Sequence, residues 1–192
     1  MVIPRKPFVR EGIRRDYTSA PQITKQYLLG LIHDGTTRKN TLRIASKSLE
    51  FCSFLRNQIK KMGSNAWVYR EGKSHNLWII EFSEIFLIET KLSSNKNKID
   101  YIRGYFDADG GVSQENHVRF YIYFAQKNFS DLFQVRQLLE EQSISCGKIH
   151  NPSIRIDPNY WRFYVRTRSH DRFISIIGSL HPKKAQYLRM KR

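Results

Sequence analysis

Hydrophobic and polar positions along the chain alternate between two periods. Behind Ser48, the apolar residues Leu49, Cys52, Leu55, Ile59 and Met62 recur at three- and four-residue spacing, which predicts a capped amphipathic helix. Asn128 stands at the head of a similar stretch. Between residues 117 and 124 the period drops to two. Val118, Phe120, Ile122 and Phe124 take one face while His117, Arg119, Tyr121 and Tyr123 take the other, as in a half-buried strand. An earlier stretch does the same, with Leu42 and Ile44 inward and Lys39, Thr41 and Arg43 outward. Further strands are expected at 66–70 and 77–82, and again at 148–156 and 160–167. Short helices are expected at 84–92 and 170–180.

The elements repeat in order. Matching residues are offset by 74 at Tyr27/Tyr101, 80 at Lys47/Lys127, 83 at Trp78/Trp161 and 86 at Lys98/Lys184. Such a steady drift means one unit present twice, with small insertions in the second copy. Each copy reads α-β-β-α-β-β-α, an α+β unit whose sheet is covered by helices on one face. The copies span residues 24–97 and 98–192. Residues 1–23, with Arg5, Lys6, Arg10, Arg14 and Arg15, form a basic extension that reads as a poorly ordered tail.

Charge sharpens this picture. Lys and Arg number 33 against 17 Asp and Glu, a net charge of +16. A polyanion is the direct physical partner, because neutralised phosphates release counterions. The basic residues are interleaved with Tyr, Trp and His in strands rather than on an amphipathic helix, which favours nucleic acid over a membrane surface. No apolar run is long enough to span a bilayer and no secretory h-region is visible, so an intracellular protein is expected. Cys52 and Cys146 lack metal-ligand spacing and read as free thiols.

The candidate chemistry lies at the ends of two apolar segments, Tyr27-Leu-Leu-Gly-Leu-Ile-His-Asp34-Gly35 and Tyr101-Ile-Arg-Gly-Tyr-Phe-Asp-Ala-Asp109-Gly110. A carboxylate at a helix C-terminus opposes the macrodipole by up to about 1 kcal/mol. Two such ends side by side repel as well, unless cations sit between them. Gly104 and Ala108 share a helix face and would let two backbones approach closely. Asp107, about 200° around the helix from Asp109, reads as a structural or surface contact.

The repeated segment resembles the motif of the LAGLIDADG homing endonucleases, most closely in Gly104-Tyr-Phe-Asp-Ala-Asp109-Gly110. The first copy is one residue shorter between glycine and acid. Either its helix ends early or Leu29, rather than Gly30, takes the close-contact position. The resemblance covers about residues 24–192. It implies two pseudo-symmetric halves joined across the motif helices, each with a four-stranded antiparallel sheet forming half of a DNA-binding saddle.

It further implies a site-specific double-strand DNA endonuclease acting as a monomer on duplex DNA, with Asp34 and Asp109 holding Mg2+ or another divalent cation. Basic groups belong around the reacting water in this family, and Lys98 and Lys184 occupy equivalent positions. The second of these opens a third copy of the motif-helix start, Lys184-Ala-Gln-Tyr187-Leu-Arg189. The saddle would carry Lys39, Arg43, Lys47, Arg70, Arg119, Tyr121, Gln126, Lys127, Arg155, Arg162 and Arg166 toward DNA. Alternatives on the same scaffold are an RNA maturase, a DNA-binding regulator and a nickase.

Overall fold

The computed structural model describes residues 22–72, 76–113 and 119–190; the expected basic extension lies almost wholly outside them. Two helices pack together between two sheets. Helix α1 (Lys25–Leu31) begins where the Thr24 hydroxyl accepts from the Tyr27 N–H. Helix α3 (Asn95–Asp109) begins where the Ser94 hydroxyl accepts from the Asn97 N–H. Each cap satisfies an N–H that has no partner within the helix.

Two glycines set the distance between these helices. A Cβ at Gly30 would lie 2.0 Å from the Tyr101 carbonyl oxygen, and one at Gly104 would lie 1.9 Å from the Tyr27 carbonyl oxygen. No larger residue fits either position, so Gly30 and not Leu29 is the close-contact residue. The missing residue of the first segment is absorbed by a change of helix type. After Leu31 the chain tightens into a 3₁₀ turn, Ile32–Asp34, whereas α3 stays α-helical to Asp109. A 3₁₀ turn rises about 2.0 Å per residue against about 1.5 Å in an α-helix, so each acid stands about 7.5 Å beyond its glycine. The shorter segment therefore reaches the same height.

The first sheet contains β1 (Thr36–Arg38), β2 (Thr41–Ser46), β3 (Ala66–Arg70) and β4 (Trp78–Ser83) in the antiparallel order β1-β2-β4-β3. Helix α2 (Leu49–Lys61), capped by Ser48, covers one face of it. Ile44, Ile80 and Phe82 meet Leu55 and Ile59 in that core, which α1 joins through Leu28 and Leu31. The second sheet contains β5 (Gly110–Val112), β6 (Ile122–Gln126) and β7 (Trp161–Tyr164) in that order. Helices α4 (Phe129–Glu141), α5 (His170–Ile176) and α6 (Pro182–Met190) complete this part. Phe106, Phe124, Phe163 and Phe173 fill its core, with Phe124 and Phe163 stacked at 5.1 Å between centroids. Burying each ring contributes about 1.5–3 kcal/mol.

Two expectations need correction, and one helix lies beyond the expected unit. Residues 148–156 do not form a fourth strand in the second sheet. Only single bridges, Cys146 to Val165 and His150 to Arg162, flank β7, after which Pro152 removes a ladder donor. There the Asn151 amide donates to the carbonyls of Asp157 and Pro158, closing the chain into a turn. Secondly, the helix expected at 84–92 is a single 3₁₀ turn, Glu84–Leu87, with Glu89 just beyond it at φ 67°. Helix α5 likewise stops at Ile176, two residues before Gly178 at φ 59°. The third copy of the motif-helix start is a helix in its own right, α6. Residues 117 and 118 of the expected alternating strand lie outside the described residues, and its ladder runs from Ile122. No helix of the described residues is long and apolar enough to cross a membrane.

Candidate active site and nucleic-acid surface

The α1–α3 packing brings the C-terminal ends of both segments together. Asp109 accepts a hydrogen bond from the Gln126 side-chain amide at 2.9 Å, which follows from the antiparallel pairing of β6 with β5. Burial pushes the Asp109 carboxyl up to about 7, and the Asp34 carboxylate adds to the shift; Gln126 and Lys184 oppose it. Asp34, more open to solvent, is also raised by burial, with Lys184 again opposing. Each carboxylate thus sits where negative charge is disfavoured, the condition a cation relieves.

Lys184, on α6, acts on both acids through its charge. Its Nζ donates to the carbonyl oxygens of Phe106 and Asp107 at 2.8 Å and of Ala108 at 3.2 Å, the last turn of α3. The Phe106 carbonyl also accepts from the Gly110 N–H, while those of Asp107 and Ala108 lie past the last helical bond; together they form the negative end of the helix dipole, so an ammonium there offsets the repulsion between acids and helix end. Burial pulls Lys184 down to about 8 while Asp107, Asp109 and Asp34 hold it up. Lys98, its counterpart by sequence, is not brought to the site. It lies on the first turn of α3, paired to Glu141 at 2.7 Å, and the intervening helix rises about 16 Å before Asp109.

Asp107 turns away from the acids. It accepts from the Tyr27 hydroxyl at 2.7 Å, the Leu180 N–H at 2.9 Å and the His181 N–H at 3.2 Å, and from the Ser179 hydroxyl. This buried carboxyl ties α1, α3 and the entry to α6 together. A second tie runs the other way, from the Tyr101 hydroxyl on α3 to His33 Nε2 at 2.7 Å, with His33 Nδ1 3.4 Å from Asp131. The 3₁₀ turn that carries Asp34 is thereby held from two sides.

The outer sheet faces differ. On the first, Arg43 pairs across β2 and β4 with Glu81. Its guanidinium donates to Tyr69 at 3.0 Å and Glu71 at 3.3 Å, while Thr41 and Tyr69 both donate to Glu81. Sequence reading overlooked these two glutamates, although Glu81 alternates with the inward Ile80 and Phe82. Arg70 was expected on this face, but its register with Trp78 puts it on the side of Ala66 and Val68. The period of two decides this. Lys39 sits at φ 54° in the β1–β2 turn, and Lys47 is exposed just past β2.

On the second sheet, Tyr123 pairs with Tyr164 and Ala125 with Arg162, so the outer face carries Tyr121, Tyr123, Arg162, Tyr164 and Arg166. Arg162 lies 4.9 Å from the Tyr123 ring centroid and donates to Tyr160 at 2.6 Å. Arg119 is exposed beside Thr167. Lys127 is paired with Asp157 at 3.1 Å, and Arg155 lies in the exposed turn that replaces the expected strand.

Comparison with known proteins supplies the class. Residues 96–178 match the model of the LAGLIDADG-like domain family. Among solved structures, the chain is similar to I-DmoI in complex with DNA and Mn, at 19% identity and a TM-score of 0.60, covering 82% of this chain and 97% of that one. It is also similar to the N-terminal LAGLIDADG domain of DUF199/WhiA, at 17% identity and a TM-score of 0.64, covering 83% and 84%. Full-length DUF199/WhiA from Thermatoga maritima matches at 17% identity and a TM-score of 0.63, covering 88% of this chain and 60% of that one. Identities this low carry the fold alone. No curated protein sequence matches the chain.

Proposed function

We propose that this chain is a monomeric, site-specific double-strand DNA endonuclease built from two copies of the LAGLIDADG unit, the first ending at Asp34 and the second at Asp109. The observation that carries this reading is the glycine-set packing of α1 on α3, which brings Asp34 close enough for its charge to raise the Asp109 carboxyl. The donor set fits a hard divalent cation of the Mg2+ kind. It offers two carboxylates, and among the described residues no third Asp, Glu, His or Cys joins them. Mg2+ is commonly held by one or two carboxylates, with water and substrate phosphate completing its shell. Such a cation supplies water activation and charge neutralisation at the phosphate. The chain's own residues do the rest: Gln126 orients Asp109, and Lys184 offsets the negative helix end behind both acids.

The test is to incubate the protein with a randomised duplex library and Mg2+ and sequence the ends. Recovered double-strand breaks at one sequence are expected. Asp109→Asn should abolish them while leaving DNA binding within roughly tenfold, since it removes a cation ligand but few phosphate contacts. A second reading, a nickase or a non-cleaving nucleic-acid binder such as an RNA maturase or DNA-binding regulator, is favoured by the shortened first segment, which leaves Asp34 more solvent-exposed than Asp109. Retained sequence-specific binding without any strand scission would select the non-cleaving binder, and breaks in one strand only would select the nickase.

A further inference from the structure

The two outer sheet faces carry different charge. Among the described residues of the first face, Arg38 and Arg43 are matched by Glu71 and Glu81, and Arg43 is bonded to one and 3.8 Å from the other. Hydrogen bonds from Thr41 and Tyr69, and then the charges of Arg43 and Arg38, lower the Glu81 carboxyl. The strand positions of that face thus carry no net charge; Lys39, in the β1–β2 turn, and Lys47, just past β2, lie outside the strands.

The second face carries Arg119, Arg162, Arg166 and Arg168, and among the described residues none of them makes an ion pair with a carboxylate. Arg119, Arg166 and Arg168 converge on a groove of about 660 Å³ whose lining holds Tyr121 and Tyr164 and no acid. Each of the three is anchored by one neutral acceptor: Thr167 Oγ1 for Arg119, the Cys146 carbonyl for Arg166 and Ser145 Oγ for Arg168. The anchor orients the guanidinium and leaves its charge and remaining donors available.

Resting on the reading above, we infer that this groove is the electrostatic anchor of the DNA complex, gripping duplex phosphates, while the arginines of the first face, matched by Glu71 and Glu81, contribute little ionic binding. Position supports a backbone role. Gln126, at one end of β6, touches Asp109, and Tyr121 lies five residues away toward the groove, about 17 Å along an extended strand. That is about half a turn of B-DNA, so the groove meets the backbone flanking the cut rather than the scissile phosphate.

The experiment measures affinity of the whole chain for a labelled duplex of unselected sequence across a potassium chloride series. Each phosphate contact contributes about 0.9 to the slope of log K against log salt. The combined variant R119A/R166A/R168A should flatten the slope by about 2.7, whereas R38A/R43A should change it by well under 1. The pair E71Q/E81Q frees two arginines and should steepen the slope, a gain that loss of fold cannot imitate. Equal flattening by the two arginine sets, or no steepening in E71Q/E81Q, would overturn the inference. If the unsubstituted protein binds no duplex at any salt, the nucleic-acid reading itself fails.

Discussion

Replacing Gly104 by alanine tests the packing on which the site depends. The added Cβ would meet the Tyr27 carbonyl oxygen at 1.9 Å and the Leu31 nitrogen at 3.0 Å. Both obstacles are backbone, so no rotamer change relieves them. Restoring an ordinary 3.4 Å contact requires α1 and α3 to part by about 1.5 Å, which forfeits a large share of the dispersion energy across their interface. Overpacking of this kind costs about 1–3 kcal/mol, and a rigid obstacle places it at the upper end. Alanine repays up to about 1 kcal/mol in helix propensity, leaving a net loss of about 2 kcal/mol. The displacement also shifts Asp109 against Asp34, and a misplacement near 1 Å costs about a hundredfold in rate. Urea denaturation and cleavage of a selected target would measure both, with Gly147→Ala as control because its Cβ meets only the Tyr164 carbonyl oxygen at 3.5 Å and the Tyr164 nitrogen at 3.9 Å. A Gly104→Ala protein as stable as the original, or more so, would show that the helices do not approach this closely.

Two further outcomes are expected. Asp109 has its carboxyl pushed up to about 7, chiefly by burial, so the native state holds a proton that the unfolded chain has released between about pH 4 and 7. Stability from this group therefore falls as pH rises through that window, and a cation that replaces the proton should raise Tm at pH 8 much more than at pH 5.5. Equal shifts by Mg2+ at both values would rule out Asp109 as its ligand. In the second sheet, Phe163→Ala should cost about 3–5 kcal/mol because the ring is fully buried against Phe124. Arg166→Ala, on the opposite face, should change stability by about 0.5 kcal/mol or less. Chemical denaturation of the two variants compares them directly, and similar losses would mean the strand register is wrong.

Much of the fold was legible because it rests on local periodicity. The helices behind Ser48 and Asn128, the alternation of Ile122 and Phe124 with Tyr121 and Tyr123, and the acids closing two glycine-bearing segments are all sequence-local signals. What escaped depended on contacts between distant residues. Residues 148–156 alternate well enough to read as a strand, yet the amide of Asn151 captures carbonyls six and seven residues on, which no period reveals. Lys98 and Lys184 occupy equivalent positions in their segments. They separate only because α6 crosses the end of α3 whereas Lys98 belongs to α3 itself.

The shortened first segment shows how such a departure is accommodated. Losing one residue from an α-helix would retract its last side chain by about 1.5 Å and rotate it by about 100°. Winding the final turn as 3₁₀ recovers the full rise and leaves a rotation of only about 40° between Asp34 and Asp109. Such a turn has poorer hydrogen-bond geometry and needs support from outside. Tyr101 and Asp131 provide it through His33, the residue just before the acid. On the other helix of the site, Asp107 does the corresponding work for α3 through Tyr27, the Ser179 hydroxyl and the Leu180 and His181 N–H groups. The two acids are thus held by different devices at one height, and the difference between their surroundings follows directly from the missing residue.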